Sequence, residues 1–426
     1  MMTNQIVIKQ LIQEQQAIRL PNNPVPREIW SEFAPLQHNT QIIIIKGLRR
    51  CGKSTFMQWV RSHEKNPHYY FNFDDDRLTN FTVEDFQTLL ELLIELIGPA
   101  KTAYFDEIQN IPGWEKFIRR LHNQEYKIYI TGSNARLFSK ELGTHLTGRT
   151  ISIEMFPYSF REYLQAKKIN YTKDAHTTEE KSLLKSAFND FVQMGGIPEY
   201  IRFEQPAYLS ELYESILYRD IIVRHSVGKE QTLKSLVYYL ASNVGKEVSY
   251  NKLKTLLKLA SATTVSDYCY FIEMSYLFFI INQYSPSLKA QAHYSKKEYF
   301  IDQALAATVG FRTSKEYGRT LENIVFLELK RRNTEIYFHK ARKECDFLVK
   351  ESHQITQAIQ VSAHLDSSET QKREFSGLQE AIHAYHLKSG LILTEDTEFQ
   401  EGNVIVMPIW KWLINGNIPI FQMGRL

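Results

Sequence analysis

The sequence predicts an α/β protein whose N-terminal part is a parallel β-sheet wound with helices. Two observations predict this class. Apolar runs such as residues 41–46 alternate with helical patterns such as residues 82–96, and such alternation is typical of a parallel sheet. A glycine-rich segment matching G-x-x-x-x-G-K-S/T lies where the first of these runs turns into a helix, the position that a phosphate-binding loop requires.

The glycine-rich segment carries the first candidate site. Its glycines permit backbone conformations and close approach that a Cβ would block, so that N–H groups and the helix N-terminus face a phosphate. Lys53 is then expected to reach the β- and γ-phosphates and Ser54 to bind Mg²⁺. An ordinary glycine turn is the alternative. The predicted nucleotide-binding residues are Gly47, Leu48, Arg49, Arg50, Cys51, Gly52, Lys53, Ser54 and Thr55.

The third predicted strand, residues 102–105, ends in an acidic pair. Asp106 is expected to hold the hydration shell of Mg²⁺, because Mg²⁺ keeps several waters and takes few protein carboxylates. Glu107 is expected to orient and polarise the attacking water, since phosphoryl transfer depends on positioning and charge stabilisation. A charged turn at a strand end is the alternative.

Two further catalytic residues follow along the chain. The strand at residues 127–131 leads to Ser133 and Asn134; we predict Asn134 as the sensor of the γ-phosphate, with Ser133 a near-equal candidate and a helix N-cap as the alternative. Arg149, after the next helix, is predicted to act as an arginine finger on a neighbouring subunit's nucleotide. A homo-oligomer is therefore expected, and a solvated arginine is the alternative.

Composition limits the class of protein. A chain of 426 residues predicts two to three domains, and 43% hydrophobic with 23% charged residues describes a folded protein. The net charge of +3 excludes neither nucleic-acid nor protein partners. Cysteines at positions 51, 269 and 345 provide no disulfide framework or zinc spacing and favour the cytoplasm. No apolar stretch is long enough to predict a signal peptide or a membrane span.

These motifs together resemble the AAA-type ATP-binding proteins that carry a C-terminal domain of unknown function. The resemblance rests on residues 47–54, 104–109, 131–134 and 146–149 and continues through 156–163, 195–200 and 218–222, so it covers nearly the whole chain. It implies ATP binding and a second half that resembles a restriction-endonuclease fold.

We therefore predict four parts. They are a P-loop AAA-type core at residues 1–165, a helical lid at 166–228, a winged helix at 229–305 and a restriction-endonuclease-like domain at 306–426. The lid pattern is interrupted at residues 195–198, a turn that either approaches the nucleotide base or only joins two helices. Helical segments at 230–243, 249–258 and 262–273, followed by two apolar strands, outline the winged helix.

The sequence of the predicted winged helix is compatible with either DNA or a protein as its partner. Its third helix begins with small polar residues, as helices that enter a DNA groove often do, and Lys289, Lys296 and Lys297 on the predicted wing are candidate phosphate contacts. However, the helix carries few basic residues, and winged helices also bind proteins.

The last part departs from an active nuclease. Such a site needs an Asp followed by Asp/Glu-x-Lys on the next strand to bind Mg²⁺ and activate water. Asp346, with Glu344 and Glu322, fits the acidic positions, but the next strand has Gln360 and Ser362. We predict a degenerate nuclease domain used for binding, with Lys372 the candidate for a displaced lysine.

The leading hypothesis is a cytoplasmic, Mg²⁺-dependent ATPase that couples ATP binding and hydrolysis to a DNA- or protein-binding C-terminal half. The first alternative is a switch that binds ATP, hydrolyses it slowly and acts as a regulatory interaction protein. The second alternative is an ATP-controlled nuclease.

Overall fold

The computed structural model describes residues 5–21, 23–134, 146–172, 177–311 and 316–415. They fall into two compact units. The N-terminal unit comprises Met1–Phe156 and Met274–Tyr276, and the C-terminal unit comprises Pro157–Glu273 and Leu277–Leu426. The first long segment therefore ends at Phe156, whereas the sequence places the end of the core at residue 165. The predicted lid, winged helix and nuclease-like segments fall mainly in the second unit.

A parallel sheet forms the centre of the N-terminal unit. In the described part of this unit five strands lie in the order β2-β3-β4-β1-β5, and every neighbouring pair is parallel. The carboxyl ends of all strands therefore meet at one edge, where ligands of such sheets bind. The predicted α/β class is confirmed. The strands are β1 Ile42–Gly47, β2 His68–Asn72, β3 Thr102–Asp106, β4 Lys127–Gly132 and β5 Thr150–Met155.

Helices cover both faces of this sheet, which explains why its strands are apolar throughout. The four consecutive isoleucines of β1, residues 42–45, are all buried. The Phe86 and Phe117 rings of two covering helices stack with centroids 4.5 Å apart. The described α-helices of this unit are Gln5–Gln16, Trp30–Phe33, Lys53–Ser62, Asp85–Ile97 and Trp114–Asn123, with 3₁₀ turns at Ala34–His38, Asp76–Leu78 and Ile108–Asn110.

The C-terminal unit begins with helices, as the lid pattern predicts. The break at residues 195–198 packs inside this unit: the Gly196 N–H donates to Asp302 Oδ2 at 2.6 Å. The glycine turn therefore binds the carboxylate of Asp302, the residue that caps the later helix Gln303–Val309 in the same unit. These helices are Phe160–Ala166, Thr178–Met194, Pro198–Phe203 and Pro206–Ser215, followed by a π-helix at Ile216–Val223.

A long sheet runs through the rest of the C-terminal unit. Its described strands lie in the order β13-β14-β12-β11-β10-β9-β7-β8-β6. The strands are β6 Glu247–Val248, β7 Phe278–Gln283, β8 Lys296–Phe300, β9 Glu335–Lys340, β10 Glu344–Glu351, β11 Gln354–Val361, β12 Gly390–Thr394, β13 Phe399–Glu401 and β14 Val404–Pro408.

The predicted wing belongs to this same sheet. Strands β7 and β8 form the antiparallel hairpin that the sequence predicts, and β7 also pairs in parallel with β9 through Asn282–Tyr337 and Gln283–Phe338. One sheet therefore crosses residue 305, the predicted border between the last two domains. The remaining helices are Glu230–Ser242, Tyr250–Leu256, Ala262–Met274, Leu288–His293, Gln303–Val309, Tyr317–Arg331, Ser368–Ala384 and Ile409–Asn415.

Candidate active site

The glycine-rich loop connects β1 to the helix Lys53–Ser62 at the carboxyl edge of the sheet. Gly52 precedes the helix with a left-handed φ of 102°, which a glycine adopts without strain. Gly47 is required for a different reason: a Cβ there would lie 2.1 Å from the Met155 carbonyl oxygen on β5. Both glycines are thus fixed by backbone geometry.

Two side chains, those of Cys51 and Arg27, hold the middle of the loop in place. The Cys51 thiol donates to the Met155 carbonyl at 3.3 Å, and Arg27 donates to the Cys51 carbonyl at 2.9 Å and to the Phe156 carbonyl at 2.6 Å. Leu48 is buried, Arg49 is half-buried and Arg50 is exposed. The guanidinium of Arg49 lies 3.6 Å from Asp74 Oδ2, just beyond β2. Thr55 is exposed on the first turn of the helix.

Lys53 is buried and held by the loop that it follows. Its ammonium donates to the Leu48 carbonyl at 3.0 Å and lies 3.4 Å from Glu107 Oε1. Burial would lower the pKa of Lys53, but the Glu107 carboxylate and neighbouring negative groups outweigh it and raise that pKa. Lys53 is therefore a fixed positive charge at the helix N-terminus.

Asp106, the last residue of β3, accepts hydrogen bonds from three hydroxyl groups. Ser54 Oγ donates to Asp106 Oδ1 at 3.1 Å, and Thr131 Oγ1 donates to the same oxygen. The Tyr70 hydroxyl donates to Asp106 Oδ2 at 3.2 Å. Burial, followed by the nearby Glu107 charge, raises the pKa of Asp106. A cation next to this carboxylate would therefore be strongly favoured.

Glu107 has a left-handed backbone with φ 51°, and its carboxylate lies beside Lys53. Its backbone N–H donates to Thr131 Oγ1 at 3.0 Å, and its Oε2 accepts a hydrogen bond from Gln109. Burial would raise the pKa of Glu107, but Lys53 and then Arg49 outweigh that effect and lower it. Glu107 is thus ionised and ready to accept a proton or a hydrogen bond.

The candidate sensors follow β4, which lies between β1 and β3. Ser133 is 1% exposed and Asn134 is 2% exposed. Within the described parts of the chain, the Ser133 hydroxyl has no hydrogen-bond partner. Both residues follow a strand that ends at the same edge as the glycine-rich loop. The helix expected after Asn134 lies outside the described residues.

Arg149 is not brought together with the other predicted residues within one chain. It precedes β5, and its carbonyl accepts a hydrogen bond from the Ile42 N–H at 2.8 Å, at the amino end of β1. Its guanidinium donates to the Asn123 side chain. The loop lies at the opposite end of β1, so Arg149 does not reach this chain's own phosphate site.

Three residues of the site are absent from the sequence-based prediction. Tyr70 and Thr131 bond Asp106, and Gln109 bonds Glu107. Thr131 carried a signal, because it is the polar residue inside an apolar strand that ends at the nucleotide edge. The sequence gives no such signal for the other two residues: Tyr70 is typical of an aromatic residue in a strand, and Gln109 is typical of a residue in a turn.

Other kinds of site have less support in the described structure. As they lie in the structure, the His, Cys, Asp and Glu side chains of the described residues form no group of three or more that could hold a metal ion. Among the described helices, none has the length and apolar character needed to cross a membrane.

Comparison with known proteins agrees with the fold. A family model described as an AAA domain matches residues 39–164. Two models described as domains of unknown function, DUF8612 and DUF4143, match residues 185–316 and 317–412. The parallel sheet, the glycine-rich loop and the matched model define an AAA-type P-loop ATPase domain, followed by two segments that match models of unknown function.

Relatives cover most of the length of the chain. The Uncharacterized protein MJ1544 of Methanocaldococcus jannaschii is 32% identical over 436 residues, covering 97% of this chain and 96% of that protein. This chain belongs to the same family as that protein. An Uncharacterized protein of Haemophilus influenzae is 31% identical over 332 residues, 74% of this chain and 80% of that one. The Walker-type ATPase of Pyrococcus abyssi is 13% identical with a TM-score of 0.44, covering 68% of this chain and 97% of that structure.

Proposed function

We propose that this chain hydrolyses ATP in a Mg²⁺-dependent reaction and couples its nucleotide state to the binding of a partner by the C-terminal unit. One observation carries the proposal. At the carboxyl edge of the sheet, Ser54 Oγ lies 3.1 Å from Asp106 Oδ1 while Lys53 Nζ lies 3.4 Å from Glu107 Oε1. A cation, a hydroxyl and two carboxylates beside a helix N-terminus are the groups that phosphoryl transfer uses.

The donor set fits ATP and Mg²⁺. Ser54 and Asp106 offer a hydroxyl and one carboxylate, which suits a hard cation that keeps most of its waters. Asp106 is buried with a raised pKa, so a positive charge beside it would relieve an unfavourable burial. When bound there, Mg²⁺ would neutralise charge on the phosphate oxygens.

The residues of the chain then have separate roles. Lys53 gives up its hydrogen bond to the Leu48 carbonyl and its ion pair with Glu107 and binds phosphate oxygens instead. The Glu107 carboxylate is then available to the attacking water. Glu107 accepts a hydrogen bond from the attacking water and orients it. Asn134, or its buried neighbour Ser133, hydrogen-bonds the γ-phosphate or that water. Arg149 acts on the nucleotide of a neighbouring subunit, which requires a homo-oligomer.

Substitution of Glu107 tests the hydrolytic role. We expect Glu107→Gln to bind ATP normally and to lose turnover by about 10²- to 10⁴-fold, the range for a general base. The control Lys53→Ala should lose ATP binding itself. Unchanged turnover in Glu107→Gln, with ATP still bound, would remove Glu107 from catalysis and favour the slow ATP-binding switch.

The predicted winged helix offers little basic surface for DNA. Of the three wing lysines, Lys297 is buried and Lys296 is half-buried and bonded to Asn282 at 2.9 Å, which leaves Lys289 exposed. The helix Ala262–Met274 contains no Arg or Lys and exposes Asp267. DNA binding depends on neutralising phosphates with basic side chains, and this face offers few.

ATPase turnover measured with and without single- and double-stranded DNA separates the two partners. We expect no stimulation by either form of DNA at physiological salt. A clear, salt-sensitive stimulation would instead assign DNA to the C-terminal unit.

The remaining alternative, an ATP-controlled nuclease, is tested by incubating the protein with plasmid DNA, Mg²⁺ and ATP. Cleavage of the plasmid that Asp346→Ala abolishes would establish this activity.

A further inference from the structure

A buried lysine lies among carboxylates in the C-terminal unit, whereas the candidate nucleotide site belongs to the N-terminal unit. The Lys297 ammonium is 2.7 Å from Glu344 Oε1, 3.0 Å from Asp346 Oδ1 and 3.2 Å from Glu322 Oε1. Lys297 is only 2% exposed. We call these four residues the carboxylate cage. Glu322 and Asp346 are the acidic residues that the sequence suggests for a nuclease centre, but the ammonium beside them belongs to Lys297, whereas the candidate Lys372 is exposed.

The cage is assembled from distant parts of the chain. Lys297 lies on β8 of the hairpin, Glu322 on the helix Tyr317–Arg331, and Glu344 and Asp346 on β10. The pairing of β7 with β9 brings the hairpin into the sheet that holds β10. Sequence spacing alone could therefore not link this lysine to these carboxylates.

Neighbouring groups fix the buried carboxylates in position. The Tyr299 hydroxyl donates to Glu322 Oε1 at 2.6 Å, and the Val361 N–H donates to Asp346 Oδ2 at 3.0 Å. The Lys297 ammonium also lies 5.6 Å from the centroid of the Phe338 ring. The carboxylates are thus oriented towards a cation site that the lysine fills.

The residues at the Glu-x-Lys positions are occupied elsewhere. Gln360 Oε1 accepts from the Asp346 N–H at 3.1 Å, while Gln360 Nε2 donates to Glu374 Oε2 at 2.6 Å. The Ser362 hydroxyl donates to the His364 carbonyl at 2.9 Å. Neither residue offers the cage a charge, so Lys297 is its source of positive charge among the described residues.

The protonation states agree with this arrangement. Burial would lower the pKa of Lys297, but Glu322 and the other anionic groups outweigh it and hold that pKa well above its usual value. Burial and the Asp346 charge raise the pKa of Glu322 to about 7. The lysine therefore stays charged at neutral pH, and partial protonation of Glu322 reduces the excess of negative charge.

We propose that the Lys297 ammonium is the resident cation of the carboxylate cage, that it excludes a divalent metal ion, and that its removal exposes a divalent-cation site formed by Glu322, Glu344 and Asp346. An ion such as Mg²⁺ needs carboxylate oxygens at about 2.0–2.1 Å around its own centre. The ammonium occupies that centre and repels a second cation. A side chain of the protein thus takes the place of a catalytic metal, and the C-terminal unit is left to bind rather than to cleave.

Thermal unfolding with and without Mn²⁺ tests the proposal on the full chain without nucleotide. Lys297→Met keeps an unbranched side chain that is one heavy atom shorter and removes the charge. In EDTA this variant should melt below the wild type, because unpaired carboxylates are left buried. Addition of Mn²⁺ should raise its melting temperature by about 5 °C or more, as expected for an ion well above its dissociation constant. The wild type should show no such rise.

Two variants control for other effects of Mn²⁺. Lys296→Met changes the adjacent residue, which bonds Asn282 rather than the cage, and should respond to Mn²⁺ as the wild type does. Lys297→Met combined with Asp346→Asn should lose the response. All these chains keep the phosphate loop, so Mn²⁺ bound there cancels from the comparison.

Two results would overturn the proposal. One is a Mn²⁺ response of the wild type as large as that of Lys297→Met, since metal and lysine would then share the cage. The other is a folded Lys297→Met chain that does not respond. If Lys297→Met does not fold, the wild type is compared with Asp346→Asn: equal Mn²⁺ responses support the proposal, and a larger response of the wild type overturns it. The outcome does not depend on ATP hydrolysis.

Discussion

At the scale of single residues, Glu298 is a carboxyl group that the fold buries without compensation. It is 1% exposed, and within the described residues neither carboxylate oxygen has a hydrogen-bond partner. Burial raises its pKa well above the usual value, although Lys246 opposes this. We expect Glu298→Gln to stabilise the protein by about 2 kcal/mol at pH 7. At this pH the wild type must either protonate the carboxylate on folding or bury its charge, and the glutamine side chain requires neither.

The pH dependence gives the sign of this effect. Because the pKa of Glu298 is higher in the folded state, the wild type loses stability as pH rises above the unfolded pKa, about 4.5. The advantage of Glu298→Gln should therefore shrink towards zero at that pH, as measured by denaturant unfolding between pH 4.5 and 8. A stabilisation that did not change with pH would point to packing instead of charge.

Gln109 contacts Glu107 directly, so its substitution tests how the Glu107 carboxylate is positioned. It is 8% exposed; its Nε2 donates to Glu107, while its Oε1 has no hydrogen-bond partner within the described chain. We expect Gln109→Ala to lower ATP turnover by about 10- to 100-fold through misorientation of Glu107. The dissociation constant for ATP should stay unchanged, and a loss of ATP binding would contradict this role.

Some of these residue roles are readable from the sequence and others are not. Lys53, Ser54, Asp106 and Glu107 follow a spacing whose chemistry is known, and the structure brings them together. Lys297 follows another lysine on a predicted surface wing, so its charge predicts exposure. The burial of Lys297 depends on carboxylates from a later helix and a later strand. The residues around Lys297 in the sequence do not indicate these ion pairs.

At the scale of elements, the turn at residues 195–198 depends on the absence of a side chain at Gly196. A Cβ there would lie 2.4 Å from the Tyr158 carbonyl oxygen, and the Tyr158 N–H donates to the Gly196 carbonyl at 2.7 Å. We expect Gly196→Ala to destabilise the C-terminal unit by about 1–3 kcal/mol, as overpacking does. Denaturant unfolding measures this.

A matched control is available on the helix Tyr317–Arg331. Among the described residues, no atom beyond its own helix backbone and chain neighbours lies within 4 Å of a Cβ built at Gly318, and alanine is the better helix former. Gly318→Ala should therefore be neutral or slightly stabilising. Equal destabilisation by both substitutions would show that the close contact at Gly196 does not control this turn.

Element predictions succeeded where the pattern is local. The helices Glu230–Ser242, Tyr250–Leu256 and Ala262–Met274 fall within about a few residues of their predicted positions. The pairing of β7 with β9 was not predicted, because it joins strands more than fifty residues apart and involves only two paired positions. Periodicity reports which residues are buried, not which strands are neighbours.

At the scale of the whole molecule, the role proposed for Arg149 would make ATP hydrolysis depend on assembly into an oligomer. It lies at the amino end of β1 and β5, away from the phosphate loop of its own chain. If it acts on a neighbouring subunit, Arg149→Ala should lower ATP turnover by about 10³-fold or more, the effect of losing an arginine finger.

Mixing of inactive subunits checks this role. Arg149→Ala chains keep an intact nucleotide site, whereas Lys53→Ala chains keep the arginine. We expect a mixture of the two to hydrolyse ATP faster than the sum of the separate preparations. A mixture that equals that sum would leave Arg149 without a role between subunits.

The pairing of β7 with β9 also determines where this protein can be divided. A fragment starting at residue 306 would lack β7, so β9 would present an unpaired row of N–H and C=O groups. Exposed strand edges of this kind recruit other chains and promote aggregation. It would also lack Lys297 and so leave three carboxylates without their cation. The smallest part of the C-terminal half suited to separate expression therefore includes the β7–β8 hairpin.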